Sequence, residues 1–131
     1  MKLLLDTHIW IWAVGHPERI NRAVRRQMDS PKNELLLSPI SIWEAHQMYR
    51  RGKLDVKVTF PSWVDYALAQ LRVVEAPVTF AVATAASGIQ LPQSDPGDIF
   101  LAATASALDL TLVTSDAQLI ACTWLKTLAN E

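Results

Sequence analysis

One cysteine, Cys122, stands in 131 residues, and the four glycines are scattered singly. A lone thiol excludes an intramolecular disulfide framework and any zinc site built from several cysteines. Isolated glycines exclude a Gly-rich phosphate loop. No apolar run approaches the roughly 18 residues needed to span a bilayer. The opening Met-Lys-Leu-Leu-Leu-Asp brings an acid far too early for a signal-peptide core. Charge of neither sign dominates, since 12 Lys+Arg meet 13 Asp+Glu for a formal net charge of −1. That balance argues against a protein that holds nucleic acid by bulk electrostatics, and leaves room for a local basic face. The expectation is a soluble, cytoplasmic protein with no membrane partner, folded as a single domain over residues 1–131.

Half of the residues are hydrophobic and 19% are charged, which excludes a disordered chain. Three short apolar runs, Lys2–Leu5, Glu34–Leu37 and 110–114, are unbroken rather than alternating. Strands covered on both faces in a parallel sheet read this way. A weaker run covers 71–74. Helices are predicted over 18–28, 39–51 (stopping at Gly52), 61–70, 79–87 and 98–108. Segment 120–128 fits either a closing helix or a short edge strand. Strands alternating with helices imply an α/β fold, a doubly wound sheet with helices on both faces.

Ligands of such sheets bind beyond the carboxyl ends of the strands. Four acids fall there. Asp6 ends the first run, and Glu44 lies early in the helix after the second. Asp98 opens the Ala-rich helix, and Asp116 follows the last strand. Each has a bland reading: Ser41-x-x-Glu44 fits a capping box, Asp95-Pro96-Gly97-Asp98 a helix start, and Asp116 an N-cap. Taken together they are harder to dismiss. Two carboxylates about 4 Å apart repel by roughly 4 kcal/mol at an effective dielectric near 20. A cluster of them calls for a proton, a cation or wider spacing, and oxygen-only ligands favour Mg²⁺ or Mn²⁺.

The opening Leu-Leu-Leu-Asp-Thr-His-Ile-Trp, the Ser38-Pro39-x-Ser41-x-Trp43-Glu44 segment, the Asp95-Pro96-x-Asp98 turn followed by Leu-Ala-Ala-Thr-Ala, and Leu-Val-Thr-Ser-Asp together resemble the PIN domain. More closely, they resemble the VapC-type toxin ribonucleases of toxin–antitoxin pairs. The resemblance implies a three-layer α/β/α domain with a central parallel sheet. It also implies Mg²⁺- or Mn²⁺-dependent hydrolysis of RNA phosphodiesters by a water that the metal activates. By position, Asp6, Glu44, Asp98 and Asp116 become the acid quartet and metal ligands. Thr7, Ser41, Asp95, Thr114 and Ser115 become the groups that hydrogen-bond and orient them. The implied partners are an RNA substrate, a cognate antitoxin protein and a second copy in a homodimer. Gly97 and Ile99 stand where the family usually carries a bulky aromatic and an arginine. That substitution bears on substrate grip and rate more than on the acids.

Arg19, Arg22 and Arg26 fall on one face of the predicted helix, with Arg25 beside it, and could track an RNA backbone; a solvated helix face explains them as well. Arg50, Arg51 and Lys53 form a second candidate strip for RNA, although they sit at a helix C-terminus, where the dipole alone favours them. His8, His16 and His46 have no ligand spacing. The five tryptophans read first as core, and any that are exposed as anchors for a partner. Two other functions stay open: a PIN-like binding module whose acids merely cap helices, and, more remotely, a phosphatase with Asp6 as nucleophile.

Overall fold

A computed structural model of the chain describes residues 1–92 and 95–131. The described residues form one parallel sheet of five strands: β1 (Lys2–Leu5), β2 (Glu34–Leu37), β3 (Val74–Glu75), β4 (Thr111–Thr114) and β5 (Thr127–Ala129). Their order is β3-β2-β1-β4-β5. The unbroken leucine runs explain why β1 is central. Side chains alternate between faces along a strand, so a strand covered on both sides must be apolar at every position. Leu3 and Leu5 enter one core with Leu35, Leu37 and Val113, while Leu4 enters the other with Leu36 and Leu112.

The first core is closed by α1 (Thr7–Gly15), α2 (Arg22–Asp29), α3 (Pro39–Arg50) and α4 (Phe60–Leu71), through Ile9, Trp10, Val24, Met28, Ala45 and Ala67. The second is closed by α6 (Pro96–Ala107) and α7 (Ala117–Ile120), through Leu101, Ala102, Ala105 and Leu119. Small side chains on α6 let α5 (Phe80–Ser87) lie along it. The three-layer α/β/α architecture is the one expected. Among the described residues, no helix is long and apolar enough to cross a membrane.

Several boundaries differ from the sequence expectation, each for a local reason. The helix expected over 18–28 is two pieces, a 3₁₀ turn at Pro17–Arg19 and then α2. Asn21 separates them because its side chain accepts the Val24 N–H at 2.8 Å and starts a new helix. Arg19 therefore does not share a helix with Arg22 and Arg26, so the three do not lie on one helix face as expected. The run 71–74 is not a strand throughout. Leu71 completes α4, Arg72 turns through a left-handed φ of 52°, and only Val74–Glu75 pairs with β2. Segment 120–128 resolves into the end of α7 followed by the start of the edge strand β5. Gly52 ends α3 as expected, with a φ of 71° that side-chain-bearing residues avoid.

Candidate active site

Because every strand runs the same way, the carboxyl ends of β1, β2 and β4 lie on one edge of the sheet, and each is followed by a polar residue: Asp6, Ser38 and, as the last strand residue, Thr114. α3, which follows β2, starts at that edge. α6, which leads into β4, also has its N-terminus there. These two helices belong to opposite layers and meet over the edge. That topology delivers Asp6, Glu44, Asp98 and Asp116 to a single cavity of about 820 Å³. Thr7, Asp95, Gly97 and Ser115 share its lining, with His8, Trp12, Trp43, Gln47, Met48, Arg51 and Lys53 on the remaining wall.

Asp6 is 8% exposed at the N-terminus of α1. The Thr114 hydroxyl donates to its Oδ2 at 2.6 Å, and the Asp6 N–H donates to the Val113 carbonyl at 3.0 Å. Burial nevertheless pushes the Asp6 carboxyl above its usual range; the Thr114 bond and the nearby His8 offset this only in part.

Glu44 is not half of a capping box. α3 is capped by Ser38, whose hydroxyl accepts the Ile40 N–H at 3.1 Å, so Ser41 lies inside the helix and buried. The Glu44 carboxylate turns across to α1 instead, where Thr7 Oγ1 meets its Oε1 at 2.5 Å. Thr7 Oγ1 also lies 2.9 Å from Ser41 Oγ. Burial again raises the Glu44 pKa, against the lowering effect of the Thr7 bond.

Asp98 occupies the third position of α6, behind Asp95, which caps the helix by accepting the Asp98 N–H at 3.1 Å. A helix N-terminus favours a negative charge there. Burial and the combined field of Asp95, Asp6, Asp116 and Glu44 prevail, and the Asp98 carboxyl is pushed up to about 7. Asp116 does the capping expected of it, with Oδ1 accepting from Gln118 at 2.8 Å and Leu119 at 3.1 Å. Its own N–H donates to Thr114 Oγ1 at 3.0 Å, so one threonine serves two of the acids.

The donor chemistry suits a hard divalent cation: oxygen ligands only, in a field that already resists further negative charge. Among the described residues, no three His, Cys, Asp or Glu groups are drawn together closely enough to hold an ion as they stand. The fit is therefore one of ligand type and shared cavity.

Of the basic residues, Arg51 and Lys53 line the cavity, whereas Arg19, Arg22, Arg26 and Arg50 do not. Arg19 stands one layer back, its guanidinium 5.7 Å from the centre of the Trp12 ring. Trp10 is fully buried, but Trp43 is 61% exposed at the cavity wall and Trp124 is 50% exposed elsewhere. Sequence reasoning missed Asn130. Its side-chain amide donates to Ser115 Oγ at 2.9 Å and to the Arg19 carbonyl at 3.0 Å, and its Oδ1 accepts the Asn21 N–H at 2.7 Å. It thereby holds the Ser115–Asp116 turn against the 3₁₀ segment. The signal was weak: Asn130 follows β5 directly, as Asp6 follows β1 and Ser38 follows β2, but three half-buried residues do not mark a strand in the sequence.

The PIN-domain family model matches residues 3–123. A search of curated proteins returns no match. Among solved structures, similar folds occur in VapBC2 from Rickettsia felis, bound to a promoter DNA fragment (TM-score 0.70, 20% identity, 100% of both chains). They occur also in DNA-bound VapBC from Salmonella typhimurium (0.68, 16%, 98% of both chains) and VapBC-1 from nontypeable Haemophilus influenzae (0.66, 18%, 98% of both chains).

Proposed function

Since this chain belongs to the PIN-domain family, we propose that it is a Mg²⁺- or Mn²⁺-dependent endoribonuclease, the toxin half of a toxin–antitoxin pair. One observation carries the reading. Four carboxylates from the β1–α1 junction, α3, α6 and the β4–α7 turn, more than a hundred residues apart at the extremes, line the same cavity. Helix capping accounts for Asp95 and Asp116. It does not account for Asp6, whose carboxylate is bonded to a strand threonine, or for Glu44, whose carboxylate reaches to another helix.

A divalent cation bound by these oxygens would supply Lewis acidity to the phosphodiester and to the attacking water. The chain's own residues do the rest. Asp6 and Asp98 face the cavity from the sheet edge and from α6, as the principal ligands. Thr114 fixes the Asp6 carboxylate, and Thr7, next to Ser41, fixes Glu44. Glu44 then stands beside the other acids to orient water or to complete the ligand set. Arg51 and Lys53 give the otherwise acidic cavity a basic wall along which an RNA backbone can be drawn in. Exposed Trp43 on the same wall offers an apolar anchor to an antitoxin segment that covers the site. A second copy of the chain completes the proposed assembly, and the cytoplasm is its proposed compartment.

The test is cleavage of structured and single-stranded RNA with Mg²⁺, Mn²⁺ or EDTA, alongside Asp6→Asn and Asp98→Asn. Cleavage that needs the cation and is lost in both variants is the expected result. Cation-independent behaviour throughout, with no cleavage and no change in melting temperature on adding Mn²⁺, would return the chain to the binding-module reading.

A further inference from the structure

The two helical layers touch over the sheet edge where the Glu44 carboxyl of α3 lies against Gly97 in the first turn of α6. Gly97 is buried, and its backbone is not in the left-handed region, so the chain conformation does not require glycine there. Helix propensity runs against it, because glycine is the least favourable residue after proline in a helix. Space is the remaining reason. A Cβ on Gly97 would overlap Glu44 Oε2 and stand 2.6 Å from Cδ and 3.1 Å from Oε1. The other oxygen of the same carboxylate, Oε1, is held by Thr7, itself 2% exposed. Glu44 is thus wedged between a hydroxyl and a missing side chain.

We infer that Gly97 is a positioning residue for Glu44: the absent side chain is what lets the carboxylate lie on α6 while bonded to Thr7. Any residue with a Cβ at 97 turns Glu44 away from Thr7. The fold survives the change, because the displaced atoms are the end of a flexible side chain. The catalytic consequence rests on the nuclease reading above; the geometric one does not.

Two measurements separate them. In urea melts, Thr7→Val destabilises the wild-type protein by removing the donor to Glu44. In a Gly97→Ala background the same substitution costs clearly less, because that bond is already broken. Equal Thr7→Val effects in both backgrounds overturn the inference, whatever the activity. In the RNA assay with Mn²⁺, Gly97→Ala lowers kcat roughly 10- to 100-fold with KM little changed, as expected for a misplaced group. Glu44→Ala lowers kcat at least as much, and the double variant is no worse than Glu44→Ala. An unchanged kcat in Gly97→Ala, or losses that multiply in the double variant, overturns the catalytic consequence. A wild type that cleaves no RNA with either cation removes the nuclease reading and leaves the melts to decide on Gly97.

Discussion

Thr114 and Asp6, 108 residues apart in sequence, are joined by a 2.6 Å hydrogen bond at the carboxyl edge of adjacent strands. Thr114 is fully buried and Asp6 nearly so. The same hydroxyl oxygen accepts the Asp116 N–H, so the threonine ties two acids of the cavity to the end of β4. Thr114→Val keeps the shape and removes both bonds. Leaving a buried carboxylate without its donor costs about 1–3 kcal/mol. The expected result is a destabilisation of that size in urea, a weaker Mn²⁺-induced rise in melting temperature, and recovery of both in Thr114→Ser.

The raised acids set the direction of the pH dependence. Asp98 titrates at about 7 in the fold against 3.8 ordinarily. Between those values the folded protein keeps a proton that the unfolded chain has released, so stability falls as pH rises from about 4 and levels off above about 7. Asp6 and Glu44 are shifted in the same direction and add to the decline. In the absence of divalent ions the melting temperature should be higher at pH 5 than at pH 8, and the gap should narrow in Asp98→Asn. Mn²⁺ at pH 8 should restore much of the loss, since a ligand bound only by the folded state stabilises it. A protein equally stable at both pH values without metal would contradict the electrostatic picture.

Asn130 predicts a local effect. Asn130→Ala removes its bonds to Ser115, Arg19 and Asn21 and leaves the Asn21 N–H without its partner. We expect a loss of about 1–3 kcal/mol, with faster amide exchange in segment 19–21 and the 115–116 turn while β1 and β2 stay protected. Uniform acceleration across the sheet would mean that the amide supports the whole fold rather than this turn.

Arg51 and Lys53 should matter to RNA where Arg22 and Arg26 do not. Substituting either of the first pair with alanine should weaken RNA binding and flatten its salt dependence, by about 0.7 in log–log slope per lost phosphate contact for a single strand. Alanine at Arg22 or Arg26 should leave both unchanged, since neither lines the cavity. Filter binding at several salt concentrations reads the difference.

Strong local patterns made much of the fold legible in the sequence. Lys2–Leu5 and Glu34–Leu37 stand out because short unbroken apolar runs between polar residues suit a strand covered on both faces, and Asp95-Pro96 marks the start of α6 through cap chemistry alone. α1 offered no comparable mark beyond the turn at Asp6. Ile9, Trp10, Ile11, Trp12 and Val14 surround the helix, so no single face shows in the sequence. β3 and β5 are too short to show above their surroundings, and only pairing with β2 and β4 defines them. The acids could be named in sequence, but their partners could not. Spacing favoured a capping box for Ser41 and Glu44, yet Ser38 caps α3 and leaves Glu44 to reach Thr7, a contact that depends on how α1 and α3 pack. Gly97 was visible as an oddity, and its reason appears only when α6 meets α3.

The central strands are apolar on both faces, and this leaves something for the site to decide. Slide β1 by one residue and its leucines still meet leucines of β2, and Leu112 or Val113 on the β4 side. Oiliness alone penalises such a slip weakly, unlike in a sheet with one wet face. What a slip would break is polar: the Asp6 N–H to Val113, the Thr114 hydroxyl to the Asp6 carboxylate, and Thr7 to Glu44. The acidic edge therefore serves as the ruler by which these apolar strands find their alignment, and a chain stripped of it would keep its stickiness and lose its measure.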